Sequence, residues 1–371
     1  MATRVNSFDV ESLVHGKSFE EVKQIADDSG IRVRELKNGN DDLLNLYLLV
    51  SDTDQHTDNN IHIQSNGIIF EKETNKVICM SQNKFKNIVS LDMESEKMEY
   101  CEDGTVIRLY NYRNAWYTAT TKCIDASHSY WSSAKTFHDM FMEIFDVKNF
   151  ELLDPSFTYI FVLLHKDNRI VVDHKYNNLI YINRINNESK FEDYTNHFYS
   201  SDPRRKIRRT KQIDTVNNNL EDYFLPSKRG VIIKVYNESQ NTWDIYQYDF
   251  HNYSKLKEVR GNVPLLRMRY LELLQDPESI QLLEDNYKES FFLFAMIKHQ
   301  LNNLYKQIHN LYFESHVKHS ITVDEENPFY RTLKQLHAQY KNTGNHITLD
   351  EVKNKVNTLD THVLKKFMNW V

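Results

Sequence analysis

Arg267 and Arg269 stand two residues apart in Arg267-Met268-Arg269-Tyr270-Leu271, a spacing that on a strand turns both guanidinium groups to one side. Two forked donors facing the same way suit phosphate oxygens; the bland alternative is a solvated edge strand. Upstream, Arg204-Arg205-Lys206-Ile207-Arg208-Arg209-Thr210-Lys211 is the densest basic stretch in a chain of formal net charge −6. Such runs are most often solvated, but few acids lie nearby. Arg204, Arg205, Lys206, Arg208 and Arg209 are therefore candidates for contact with an RNA backbone. Trp131, in the polar stretch Ser127-His128-Ser129-Tyr130-Trp131-Ser132-Ser133, is a candidate for base stacking. Trp116 reads as core. The 16 histidines include His316 and His319 on an expected helix, with no third ligand in a recognisable pattern, so neither a metal site nor a bound cofactor is expected.

These groups need a soluble, folded scaffold, and the composition supplies one. Of 371 residues, 40% are hydrophobic and 26% charged, the balance of a globular protein rather than a disordered one. The negative net charge excludes a uniformly basic coat but leaves room for a local basic groove. Cys79, Cys101 and Cys123 form no CxxC pair, which fits a reducing compartment. The first residues lack the apolar core of a signal peptide, and the early apolar run from Leu43 to Val50 is too short to span a bilayer. A cytoplasmic protein without membrane association is expected. Abundant Asn, Lys and Ile hint at an AT-rich genome such as that of a large DNA virus, which would place the protein in the host cytoplasm or a virus factory.

The elements follow from periodicity. Ser18 and Glu21 make a capping box for a helix that Gly30 ends. Short β-branched and aromatic runs predict strands at 44–50, 67–70, 77–80, 105–110, 159–164, 169–172, 231–235 and 243–246. Phe137, Met140, Phe141 and Ile144 mark an amphipathic helix across 133–146. Beyond about 270 a stripe from Leu283 to Leu311, through Tyr287, Phe291, Phe294 and Ile297, marks helices, and Thr348 with Glu351 caps another. The expected plan is α+β over 1–270 and all-α over 271–371. The aromatic stripe of the second region reads as its core and is the expected place for any protein partner.

The stretch Cys101-Glu102-Asp103-Gly104-Thr105-Val106-Ile107-Arg108 resembles the Lys-x-Asp-Gly signature of covalent nucleotidyltransferases, in particular the RNA ligases of phages and viruses. The surrounding order extends the likeness over roughly residues 40 to 275. Asn66-Gly67-Ile68-Ile69-Phe70 and Lys84-Phe85-Lys86-Asn87 precede it, and Trp116-Tyr117-Thr118-Ala119-Thr120 follows. Then come Phe157 to Leu163, Asn168-Arg169-Ile170-Val171-Val172, Arg229-Gly230-Val231-Ile232-Ile233-Lys234 and the Arg267 segment. The resemblance implies two antiparallel sheets around a nucleotide cleft, followed by a helical domain. It implies a site drawn from Lys84, Cys101, Asp103, Gly104, Arg108, Phe161, Arg229, Arg267 and Arg269.

The departures concern the chemistry. Cys101 occupies the position of the lysine that attacks the nucleotide α-phosphate. Val162 and Arg229 each replace a carboxylate that helps bind ribose and metal, and the triphosphate-neutralising lysines become Arg267 and Arg269. The expectation is a catalytically inactive ligase-like protein that holds a nucleotide or an RNA 5′ end, an mRNA cap included. Two alternatives stand beside it: an RNA-repair ligase using Lys97, Lys84 or Lys234, and a protein-binding scaffold with a vestigial cleft. For Arg229 either a ligand contact or an internal ion pair is expected.

Overall fold

The computed structural model describes residues 3–4, 9–51, 59–86, 97–195, 198, 207–213, 219–237 and 242–370. Fifteen strands run along these residues: β1 (Thr3–Arg4), β2 (Ile31–Glu35), β3 (Leu46–Ser51), β4 (Asn66–Glu71), β5 (Val77–Cys79), β6 (Lys97–Cys101), β7 (Thr105–Tyr112), β8 (Ala115–Thr120), β9 (Phe157–Leu164), β10 (Asn178–Asn186), β11 (Phe191–Asp193), β12 (Arg208–Arg209), β13 (Gln212–Ile213), β14 (Gly230–Asn237) and β15 (Thr242–Asp249). The chain forms two compact units, Met1–Ser254 and Lys255–Val371.

The first unit is α+β with antiparallel sheets, three of them among the described residues. The largest has the order β1-β11-β10-β9-β7-β8, with β12 added in parallel on β10. The second is β13-β6-β14-β15 and the third β2-β3-β4-β5. Helix Phe19–Asp28 carries the expected Ser18/Glu21 capping box and buries Val22 and Ala26, which join Tyr47, Leu49, Ile68 and Phe70 of the third sheet in one core. On the largest sheet, Phe137, Met140, Phe141 and Ile144 of helix Phe137–Ile144 pack with Phe161, Tyr159 and Tyr181.

Local sequence explains many of the strands but not all of them. Residues 169–172, read as a strand, are irregular. The N–H groups of Val171 and Val172 each donate at 2.8 Å to Asp103 Oδ2, so a carboxylate takes the place of a neighbouring strand. The nine-residue β10 lies where no strand was expected. Its Asn178, Asn183 and Asn186 belong to a residue type depleted in strands. Asn183 is nevertheless fully buried, and its Nδ2 donates to Glu192 at 3.3 Å.

The second unit is helical, and helix begins before residue 271, at His251–Arg260, which starts in the first unit and runs into the second. Its long helix Phe291–Tyr312 buries Phe294, Ile297, Leu301, Leu304, Tyr305, Ile308 and Tyr312. Helix Leu349–Asn357 starts with the Thr348/Glu351 capping box and packs Val352 and Val356 into the same core. Phe291, placed on the buried stripe by its spacing, is 65% exposed because it is the first residue of its helix rather than part of its inner face. No helix among the described residues is long and apolar enough to cross a membrane.

Candidate functional site

Cys101 ends β6 in one sheet, and Thr105 opens β7 in another; Glu102, Asp103 and Gly104 carry the chain between them. Gly104 lies hard against β9: an added Cβ would meet the Leu163 carbonyl at 2.5 Å and Val162 Cγ1 at 2.8 Å. Only glycine fits there. The same contact brings Val162, which stands where the resemblance places a carboxylate, beside the turn.

Asp103 fixes the turn. It is 2% exposed, and besides the two N–H groups its Oδ1 accepts from the Tyr253 hydroxyl at 2.6 Å. Its carbonyl oxygen lies 2.7 Å from His174 Nε2. A buried carboxylate with three donors is well satisfied, and its role is to hold backbone.

Cys101 and Arg229 are neighbours through the sheet. Cys101 pairs in register with Gly230, and the Arg229 N–H donates to the Cys101 carbonyl at 3.0 Å. Burial pushes the Cys101 thiol up to about 12, against the pull of the Arg229 guanidinium. The thiol is therefore neutral at ordinary pH, and only the thiolate is nucleophilic. Arg229 Nε donates to Asp249 Oδ1 at 2.7 Å and Nη2 to Asp249 Oδ2 at 2.9 Å, and the guanidinium lies 5.5 Å from the Tyr253 ring centre. Burial opposes its charge, but Asp249 more than offsets that and its pKa rises. Of the two expectations for Arg229, the internal ion pair is present. Its Nη1 donates to no described residue.

Other charges around the turn are paired internally. Lys228 bridges to the buried Glu102. Lys234 meets Glu99 at 2.9 Å, and Thr210 and Gln212 donate to the same carboxylate at 2.6 and 2.8 Å. Burial works to raise Glu99, and these partners hold its carboxyl below the usual range. Among the described residues no group of three or more His, Cys, Asp or Glu is arranged to hold a metal ion.

Several expected site residues lie elsewhere. Arg108 is 1% exposed and donates to the carbonyls of Gly67, Met80 (3.4 Å) and Thr120 (2.6 Å); it braces the chain between strands instead of facing a ligand, because burial obliges the guanidinium to find acceptors inside the fold. Phe161 is fully buried among Phe141, Tyr181 and Phe198. Adjacent strand residues face opposite ways, so Val162 takes the turn side and Phe161 the core. Lys84 Nζ donates to the Ser51 carbonyl at 2.5 Å. Trp131 is half-buried against the core around helix Phe137–Ile144, and its neighbour Tyr130 is the exposed ring.

Arg267 and Arg269 sit on helix Leu266–Glu272 in the second unit, where a spacing of two does not put side chains on one face. Arg269 donates to the carbonyls of Val259 and Glu258, each at 2.8 Å, and to Glu272; Arg267 lies 5.5 Å from the Trp370 ring. Besides β6, the strand beside β14 is β15, whose residues spaced by two near Arg229 are Gln247 and Asp249. In the basic run, Arg208 and Arg209 form the exposed β12; Arg204, Arg205 and Lys206 lie outside the described residues. Sequence reasoning missed Asp249 and Tyr253. The signal available was an acid and an aromatic at the end of a strand, within about a turn of each other, which is too common to single out.

No family model matches the chain. A curated relative, the immediate-early protein ICP-46 homolog of Invertebrate iridescent virus 6, is 22% identical over 268 residues, covering 65% of this chain and 57% of that protein. The chain thus spans little more than half that relative's length. Among solved structures it is similar to a putative ATP-dependent DNA ligase from Aquifex aeolicus, with TM-score 0.44 and 14% identity over 79% of this chain and 81% of that one. It is also similar to an archaeal ATP-dependent RNA ligase in two forms: TM-score 0.44, 9% identity, 79% and 78% coverage for one, and 0.43, 10%, 74% and 73% for the other.

Proposed function

We propose that this protein is a ligase-like nucleotidyltransferase relative that has given up covalent transfer and holds a nucleotide or an RNA 5′ end, a capped end included, without turning it over. The observation that carries the reading is the pairing of Cys101 and Arg229. At pH 7 a thiol with a pKa near 12 is ionised in only about one molecule in 10^5. It is thus a poor stand-in for a nucleophilic lysine. Beside it, Arg229 and Val162 offer magnesium no oxygen ligand, and that ion demands a near-complete octahedron of them.

The same geometry suits binding. Asp249 and Tyr253 orient the Arg229 guanidinium, its side chain is a quarter exposed, and Nη1 has no partner among the described residues. A guanidinium fixed in this way loses little rotamer freedom when it meets a phosphate oxygen. The exposed Arg208 and Arg209 of β12, with Lys211, supply charge for an RNA backbone. The test is incubation with α-labelled ATP and GTP and magnesium, followed by denaturation, beside equilibrium binding of 5′-phosphorylated RNA. The reading expects no denaturation-resistant label and measurable binding that weakens in Arg229→Met. A covalent adduct on Lys84, Lys97 or Lys234 would instead establish a ligase with a displaced nucleophile.

A further inference from the structure

Tyr130 is 67% exposed and Tyr176 is 72% exposed, and each lies within two residues of one anchored to the same short turn, Lys166–Asn168. Ser132 Oγ donates to the Asp167 carbonyl at 3.1 Å, and the Lys166 N–H donates to Asn177 Oδ1 at 3.0 Å. Asn177 Nδ2 also lies 2.8 Å from His165 Nε2. This turn is tied in its own right to the turn after Cys101: Asn168 Nδ2 donates to Thr105 Oγ1 at 2.7 Å, and His174 lies on the Asp103 carbonyl. Asp103 is thus shared. Its carboxylate accepts from Tyr253, the ring beside Arg229, and its carbonyl meets His174, two residues before Tyr176.

The charge of this rim is mixed. Lys135 bridges to Glu143 at 2.7 Å and to Asp167 at 2.9 Å. Lys166, in the anchoring turn, and Lys175, next to Tyr176, are both exposed. Of the residues next to the rings, Ser129, Lys175 and Asn177 are polar and Trp131 is half-buried against the core around helix Phe137–Ile144, so the exposed rim lacks the apolar centre of a protein interface. Solvent-facing rings interleaved with cations on anchored loops match what a single-stranded polynucleotide needs: flat faces for bases and charge for phosphates.

We propose that Tyr130 and Tyr176 form a stacking rim for the nucleotides that follow the 5′ end of a single-stranded RNA, with Lys166 and Lys175 meeting its phosphates. The inference rests on the reading of the Arg229 site as an RNA-end site and names the substrate class for it. The experiment compares a 5′-phosphorylated dinucleotide, an eight-nucleotide single strand and a duplex of the same sequence. The proteins are wild type, Tyr130→Ala/Tyr176→Ala and Tyr130→Phe/Tyr176→Phe, with circular dichroism to verify the fold. Wild type is expected to bind the eight-nucleotide strand more tightly than the dinucleotide. The alanine pair loses that gain, about tenfold, while the phenylalanine pair keeps it and the duplex is indifferent to either change. An alanine pair that binds the long strand like wild type overturns the rim, as does a wild type without length dependence. Tyrosine-dependent binding without any preference for the 5′ end overturns the end-site reading and leaves the rim standing; no RNA binding at all overturns both.

Discussion

Arg229 and Asp249 meet in a two-point ion pair, Nε to Oδ1 at 2.7 Å and Nη2 to Oδ2 at 2.9 Å, one residue before the glycine that pairs with Cys101. The pair joins β14 to the end of β15 where the resemblance expects a metal-binding carboxylate. Because both side chains are largely shielded, removing one partner strands the other charge. Arg229→Met is expected to lower unfolding stability by about 3 kcal/mol. Arg229→Met/Asp249→Leu is expected to recover most of that loss without recovering RNA-end binding. Denaturant melts give the first result and titrations the second; a double variant that regains binding would show that the guanidinium contributes only to the fold.

Cys101 is expected to resist alkylation. Its thiol is buried and pushed up to about 12, so both access and ionisation are against reaction. Native protein treated with iodoacetamide at pH 8 and digested for mass spectrometry is expected to carry label at Cys101 far more slowly than protein in denaturant. Equal rates would mean an open, ionised thiol and reopen the question of a cysteine nucleophile.

The bond from Tyr253 to Asp103 is one of three donors on a buried carboxylate. Tyr253→Phe removes a single hydrogen bond and should cost about 1 kcal/mol. Asp103→Ala leaves the N–H groups of Val171 and Val172 without acceptors, and the expected loss is larger, about 3 kcal/mol. Chemical denaturation distinguishes the two. Similar losses would mean that the Val171 and Val172 amides find other acceptors.

Much of this was readable in the sequence because local chemistry decided it. The Ser18/Glu21, Thr136/Asp139 and Thr348/Glu351 boxes all cap helices, although only the first and last were recognised. The strand after Cys101-Glu102-Asp103-Gly104 falls where its β-branched run puts it, whereas Lys97–Cys101 before it was not expected. What failed did so where distant partners override local preference. Val171 and Val172 pair with a side chain, Asn183 is buried inside β10, and Arg108 satisfies carbonyls from separate strands. Arg267 and Arg269 were misplaced for a different reason: a segment of Leu, Met, Arg and Tyr suits a helix as well as a strand, and a two-residue spacing carries meaning only once the element is known.

In the helical unit His316 and His337 lie with ring centres 4.7 Å apart, and His316 stacks on Tyr312 at 5.1 Å. Both are held below the ordinary histidine value of 6.5, chiefly by burial, with Lys341 and His319 adding repulsion and Tyr340 packed on His337. As pH falls, the unfolded chain takes up these protons first, so it binds more protons than the folded chain. Stability is therefore complete above about pH 6.5 and declines as pH drops below it. Thermal melts from pH 7.5 to 5 are expected to show this decline, and His316→Gln/His337→Gln to flatten it. A double variant with the wild-type slope would assign the effect to other groups.

The most direct measurement is equilibrium binding of one short RNA carrying a cap, a triphosphate, a monophosphate or a hydroxyl at its 5′ end, run at low and high salt. Phosphate contacts alone weaken steeply and together as salt rises, whereas a pocket built on Arg229 keeps its discrimination between ends. The account predicts a preference for one phosphorylated or capped end over the hydroxyl that persists at high salt and disappears in Arg229→Met. Equal affinities for all four ends, falling in parallel with salt, would contradict it.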